Sequence, residues 1–281
     1  MRDLFLLAMI LVMTLLSGCS LHRQGESRSN SSLVEYLYPN NKQGVLIEPT
    51  VPVLSLPLKV GIAFVPEGCS SYNRFGLSEN QKNRLLKEIS DSFLSNHRFF
   101  EKMDVIPSQY LLRKGGFENL DDIKKNFDID VIVLLSYDQV QYTNENFVSL
   151  VYYYTLVGEY IFEGDKNDTN TLIDAAVYDI ASRKMLFRAT GTSLVKGEST
   201  RARLTEQLRQ DSYQGFESAI SKLNVQLAYE MYSFRQKLKK KETDVTIAYR
   251  SGSRGGGSFD MFGGVLIILF GAVRYFRKQK N

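Results

Sequence analysis

Leu58-Lys59-Val60-Gly61-Ile62-Ala63-Phe64-Val65 is the stretch that decides the fold, an apolar run of strand length that predicts the first strand of a domain. A loop of about a dozen residues follows and ends at Ser78, which with Gln81 forms a capping-box signature. Leu85, Leu86, Ile89, Phe93 and Leu94 then fall at helical spacing and mark the inner face of an amphipathic helix. Met103–Ile106 predicts a short second strand, and Leu120–Phe127 a short helix capped by Asn119. Asp130–Tyr137 predicts a third strand, with Val131-Ile132-Val133-Leu134-Leu135 apolar enough for the centre of a sheet.

Beyond Tyr137 the pattern predicts longer β segments: Phe147–Phe162, and a hairpin of Leu172–Ile180 with Lys184–Leu194. The connecting Asp179-Ile180-Ala181-Ser182-Arg183-Lys184 has suitable chemistry for reversing the chain. A helix from about Ser199 to Lys240 closes the domain, its stripe running through Leu204, Leu208, Phe216, Ile220, Leu223, Leu227, Met231, Phe234 and Leu238, with Gly215 as a candidate kink. This order predicts an α+β domain, a mixed sheet with a hairpin or meander and two long amphipathic helices, covered mainly on one face. Ile173-Asp174-Ala175-Ala176-Val177-Tyr178-Asp179 followed by Lys184-Met185-Leu186-Phe187 resembles the amino-terminal domain of TolB and the curli-secretion and penicillin-binding-protein-activator lipoproteins. The resemblance covers about residues 58–230 and implies their small domain; a shared fold does not assign a function.

Working outward to the amino terminus, residues 19–57 predict a tether, polar and serine-rich at first and then extended by prolines 39, 49, 52 and 57. Residues 1–18 predict a signal peptide: Arg2 and the amino terminus supply positive charge, and an apolar core runs from Leu4 to Leu16. Leu16-Ser17-Gly18-Cys19 resembles the lipobox of bacterial lipoproteins. The resemblance implies cleavage between Gly18 and Cys19 by a signal peptidase, a diacylglyceryl thioether on the Cys19 thiol, and acylation of the new amine. It also implies handling by the lipoprotein sorting machinery, with Ser20 in place of an inner-membrane retention Asp directing the protein to the outer membrane. Several acyl chains anchor stably where one is marginal. An uncleaved amino-terminal anchor, or an ordinary secretory signal with a chance cysteine, is the alternative.

At the other end, residues 241–258 predict a linker that finishes in Ser251-Gly252-Ser253-Arg254-Gly255-Gly256-Gly257-Ser258, which has no capacity to pack. Residues 259–281 predict a single transmembrane helix, apolar from Phe259 to Phe276, followed by Arg277, Lys278 and Lys280. At 1.5 Å per residue that apolar run spans roughly 27 Å, close to the bilayer core, and the basic end belongs in the cytoplasm. Glycines, short apolar helix and basic tail in this order resemble the GlyGly-CTERM sorting signal, whose bearers are substrates of rhombosortase, an intramembrane serine protease. With the lipobox, the pair is similar to the rhombotarget lipoprotein family. The resemblance implies processing at Gly255, Gly256, Gly257 or Ser258 after transient inner-membrane anchoring, leaving an outer-membrane or cell-surface lipoprotein. A permanent single-pass anchor is the alternative reading.

Removing both signals lowers the formal charge of +4 to about +1, so nucleic-acid binding loses its compositional support. Of two cysteines, lipidation of Cys19 leaves Cys69 without an intramolecular partner. His22 lies in the tether and His97 at a helix end, and no metal, thiol-redox or phosphate-loop motif is present. Asp121, Asp122, Asp128 and Asp130 fit helix caps and turns, and Tyr152-Tyr153-Tyr154 fits sheet packing, with a saccharide or peptide platform as the alternative. Lys237, Lys239, Lys240 and Lys241 complement a helix dipole, with contact to anionic lipid as the alternative. The sequence therefore predicts a non-enzymatic envelope lipoprotein without a cofactor and with an unidentified binding partner. A secretion pore, a cell-wall-synthesis activator and an envelope enzyme of unread site are the other classes.

Overall fold

A computed structural model of the chain describes residues 25–39, 50–68, 76–94, 99–144, 165–199 and 203–250. In order these form β1 (Gly25–Asn30), α1 (Leu33–Leu37), β2 (Val53–Leu56), β3 (Leu58–Phe64), α2 (Glu79–Leu94), β4 (Phe100–Val105) and α3 (Gly116–Phe127). β5 (Val131–Asn144), β6 (Asp165–Asp179), β7 (Lys184–Ser199), α4 (Leu204–Lys239) and β8 (Thr246–Tyr249) complete the set. The chain divides after Ala248, and of the second unit only Tyr249 and Arg250 are described.

The mixed α+β fold expected from the sequence is present. Its main sheet runs β4-β3-β5-β6-β7, with β4, β3 and β5 parallel and β5, β6 and β7 antiparallel. β5 is long enough to be shared. β3 pairs with its first residues, Val131–Leu135, and β1 pairs antiparallel with Asp138–Thr143 further along the same edge. β2 and β8 make a separate two-stranded sheet.

The alternation of side chains along β3 and β5 builds two cores. Ile62, Phe64, Val131, Val133, Leu135 and Tyr137 face α2 and α4, meeting Leu85, Leu86, Ile89, Phe216, Ile220 and Leu223. Ala63, Val65, Ile132 and Leu134 face the other way and meet Tyr36 and Leu37 of α1 with Phe117, Leu120 and Ile123 of α3. The expectation of cover mainly on one face is corrected accordingly. A central parallel strand apolar on both faces requires helices on both sides.

Local chemistry holds where it was legible. Ser78 and Gln81 close the capping box ahead of α2: the Gln81 amide donates to Ser78 Oγ at 3.3 Å, and the Ser78 amide to Gln81 Oε1 at 2.9 Å. At the hairpin turn the Ser182 amide donates to Asp179 Oδ2 at 2.9 Å, and Arg183 takes a positive φ of 60°. Asn119, expected as a cap, lies inside α3, which starts three residues earlier at Gly116. Its side chain instead ties the fold together, Oδ1 accepting from the Tyr36 phenol and the Leu112 amide, both at 2.9 Å.

Two boundaries move. The tether expected over 19–57 contains β1, α1 and β2, with Tyr36 and Leu37 each only 2 % exposed. The linker expected from residue 241 contains β8. The predicted strand Phe147–Phe162 and the apolar tail lie outside the described residues, among which no helix is long and apolar enough to cross a membrane. A chain trimmed to residues 58–240 would lose β1, α1, β2 and β8 and leave the Tyr36, Leu37 and Leu54 sites empty. At about 2 kcal/mol for each such side chain, that chain is expected to be less stable than residues 25–250 by roughly 6 kcal/mol, read from urea midpoints. Equal midpoints would show that the first strand and helix lie outside the cooperative unit.

Candidate functional site

β3 leads into α2 on one face of the sheet and β4 into α3 on the other, so their connections part at the carboxyl ends of the two strands. Open α/β sheets place ligand crevices at such a parting. Here it holds a small depression of about 20 Å³, open to solvent and lined among others by Ser32, Glu35, Glu67, Gly68, Arg113 and Lys114.

Of these, Glu67 also belongs to a polar cluster assembled from four distant segments. The Tyr137 phenol, on β5, donates to Glu67 Oε1 at 2.8 Å and accepts from Ser29 Oγ of β1 at 3.3 Å. Lys82 of α2 places its Nζ 3.7 Å from Glu67 and 3.1 Å from Glu79. Burial, followed by the nearby Glu67 carboxylate, holds the Tyr137 phenol well above the ordinary tyrosine range, although the Ser29 bond works the other way. Tyr137 is therefore a fixed hydrogen-bond donor at neutral pH. On the rim, Glu35 faces Lys114 at 3.9 Å, and Ser32 spends its hydroxyl capping α1, accepting from the Glu35 amide at 3.2 Å. Among the described lining residues carboxylates and cations balance, Glu35 and Glu67 against Arg113 and Lys114.

A second polar cluster lies under the first half of α4. Along β5, β6 and β7 the inward rows change from Tyr137–Ile173–Gly191 to Gln139–Thr171–Ser193, then Gln141–Thr169–Val195 and Thr143–Asn167–Gly197. Buried amides and hydroxyls need partners, and here α4 supplies them. Gln139 Nε2 donates to Thr171 Oγ1 at 2.8 Å and to the Ser212 carbonyl at 3.0 Å, and Ser212 Oγ donates back to Gln139 Oε1 at 2.6 Å. Gln141 Nε2 donates to Thr169 Oγ1 and to the Leu208 carbonyl, and Ser193 Oγ to the Gly215 carbonyl at 2.7 Å. Gly215, read as a candidate kink, has a packing reason: a Cβ there would stand 2.6 Å from Thr171 Oγ1. This seam fixes the register of helix on sheet.

The residues singled out by the sequence are distributed unevenly. Gly18, Cys19, Gly255, Gly256, Gly257 and Ser258 lie outside the described residues, as do His22, Cys69, His97 and Tyr152–Tyr154. The four aspartates do not converge, each facing its own cation: Asp121 with Arg183, Asp122 with Lys125, Asp128 with Lys59 and Asp130 with Lys124. Asp128 has the left-handed backbone of a helix C-cap, φ 51°. Among the described residues no three His, Cys, Asp or Glu side chains are grouped to hold a metal ion.

Sequence reading missed both polar clusters. The cluster around Glu67 draws on positions 29, 67, 82 and 137, which share no local spacing. The seam does leave a mark, a gap in the apolar stripe of α4 between Leu208 and Phe216 where Asp211, Ser212 and Gly215 are buried.

No family model and no curated protein matches the chain. Among solved structures it is similar to a protein described as a homologue of the neuraminyllactose-binding hemagglutinin, from Helicobacter pylori, at 7 % identity and TM-score 0.38, covering 68 % of this chain and 94 % of that one. A Xanthomonas campestris protein of the family-model DUF330 is 10 % identical with TM-score 0.31, covering 69 % and 98 %. Lipoprotein GNA1162 of Neisseria meningitidis is 11 % identical with TM-score 0.22, covering 57 % and 94 %. Likeness of this degree assigns neither an activity nor a partner.

Proposed function

We propose that the chain is a non-enzymatic lipoprotein of the bacterial envelope, anchored by lipid on Cys19 and trimmed at its carboxyl end by a rhombosortase-type protease. The observation that carries this reading is the presence of two different membrane signals at the two ends of one chain, Leu16-Ser17-Gly18-Cys19 and the Gly255–Ser258 stretch before an apolar run and a basic stop. The domain fits closely between them, since β1 opens at Gly25, six positions after Cys19. Its partners in maturation are the signal peptidase, the acylation and sorting machinery and the intramembrane protease. The mature protein resides at the outer membrane or cell surface and uses its α+β domain for binding.

Processing resolves a physical conflict. A protein held in the outer membrane by lipid cannot also keep a helix whose basic tail lies in the cytoplasm. Glycines at the membrane edge suit cleavage, because they carry the highest backbone entropy and weaken any helix they enter. An epitope placed after Lys280 is expected to be absent from the mature protein and to persist when Gly255 and Gly256 are both replaced by valine. Survival of the epitope on the unmodified protein in cells that contain the protease would make the tail a permanent anchor.

A further inference from the structure

The exposed side of α4 changes character along its length. Over residues 204–220 its exposed charges are Arg209 against Glu206 and Glu217. Over 221–241 they are the lysines at 222, 237, 239, 240 and 241, with Arg235 half-buried over the Phe99 ring and Glu230 engaged by the Gln226 amide at 2.9 Å. The same half exposes three large apolar or aromatic side chains: Val225 at 66 %, Tyr229 at 63 % and Tyr232 at 38 %. At 3.6 residues per turn these three and Lys239 fall within an arc of about 80°, so they share one face. Lys239 and Lys240 continue that face to the helix end, with Lys237 and Lys241 beside it, all exposed. The exposed Glu242 follows directly, and Asp244 is 3.9 Å from Lys184 of β7.

A helix dipole accounts for cations in the last turn. It gives no reason for exposed tyrosines two turns earlier. Amphipathic rings next to long cationic side chains are the composition of a surface seated in a headgroup layer, the rings at interface depth and the lysines reaching phosphates. The same occupant is at hand throughout maturation: before trimming, an apolar run begins at Phe259, nine residues after Arg250, and after trimming the lipid on Cys19 keeps the domain at a bilayer.

We propose that the carboxyl-terminal half of α4, through Val225, Tyr229, Tyr232 and Lys237–Lys241, docks on an anionic bilayer surface. This rests on the reading that the protein is membrane-attached, and adds which face it turns to the lipid.

The test uses the protein purified from its native membrane and reconstituted in two kinds of vesicle, phosphatidylethanolamine with phosphatidylglycerol, or phosphatidylcholine alone. Tyrosines are modified with a water-soluble reagent and mapped by mass spectrometry. Tyr110 and Tyr142, exposed at 42 % and 45 % on other elements, serve as internal references. Labelling of Tyr229 and Tyr232 relative to these is expected to be at least about fivefold lower on the anionic vesicles, and to recover in about 0.5 M salt. Combining K237E, K239E, K240E and K241E should restore labelling as salt does. Equal labelling on both vesicles overturns the proposal. So does protection that follows protein concentration rather than lipid charge, which would assign the face to a second copy. The intact mass of the same sample separates the two claims: absence of lipid on Cys19 counts against the anchoring reading, whereas lipidated protein with unprotected tyrosines counts against docking alone.

Discussion

Replacing Gly191 with valine is expected to destabilise the domain by about 4 kcal/mol or more, at the upper end of what single substitutions do. Gly191 lies on β7 opposite Ile173 of β6 and is buried under α4. A Cβ at this position would stand 2.1 Å from the Ala219 carbonyl oxygen and 2.8 Å from the Leu223 amide nitrogen. Both atoms belong to the helix backbone, so no side-chain rotation relieves the clash. α4 must lift, and lifting it uncovers Phe216, Ala219, Ile220 and Leu223, all fully buried. Gly61→Ala provides the contrast. There the obstacle is Ile129 Cδ1 at 2.5 Å, the end of a side chain that can turn, and the loss should stay near 1 kcal/mol. Urea denaturation followed by circular dichroism distinguishes the two. A Gly191→Val midpoint close to that of the unsubstituted domain would mean that α4 does not sit as close to β7 as described.

Cys19→Ala is expected to abolish maturation. The thioether needs a sulfur nucleophile, and alanine offers none, so neither lipid addition nor the cleavage that follows it can occur. The variant should accumulate with residues 1–18 attached, in the inner membrane, with essentially no outer-membrane recovery. Its domain should be intact, because the described fold begins at Gly25, six positions after Cys19. Normal amino-terminal processing and normal recovery of this variant would refute the lipobox reading.

The legible parts of the fold are those where local chemistry and tertiary packing agree. β3, the first half of β5 and α2 are continuous apolar or amphipathic runs, and Ser78 with Gln81 announces the start of α2 before any packing is known. The illegible parts are strands that tertiary pairing imposes on poor strand formers. Asp165-Lys166-Asn167-Asp168-Thr169-Asn170-Thr171 has the composition of a loop, yet it forms the first half of β6, paired on both sides and satisfied in part through Thr169 and Thr171 by the amides of β5. β1 is hidden in the same way. Its serines and Arg28 suit a tether, but Ser29 is buried against Tyr137 and Arg28 grips Asp138 through two bonds of 2.9 and 2.7 Å. The polar cluster around Glu67 is the extreme case, since only the finished sheet brings Ser29, Lys82 and Tyr137 to one carboxylate.

The intact mass of the protein recovered from its native membrane reports both ends in one spectrum. The expected species begins at Cys19, carries the mass of a diacylglyceryl group and an amide-linked acyl chain, and ends at or beside Gly255–Ser258. A species that retains Met1–Gly18, or one that extends through Arg277, Lys278 and Lys280 to Asn281 in cells containing the protease, would overturn processing at that end.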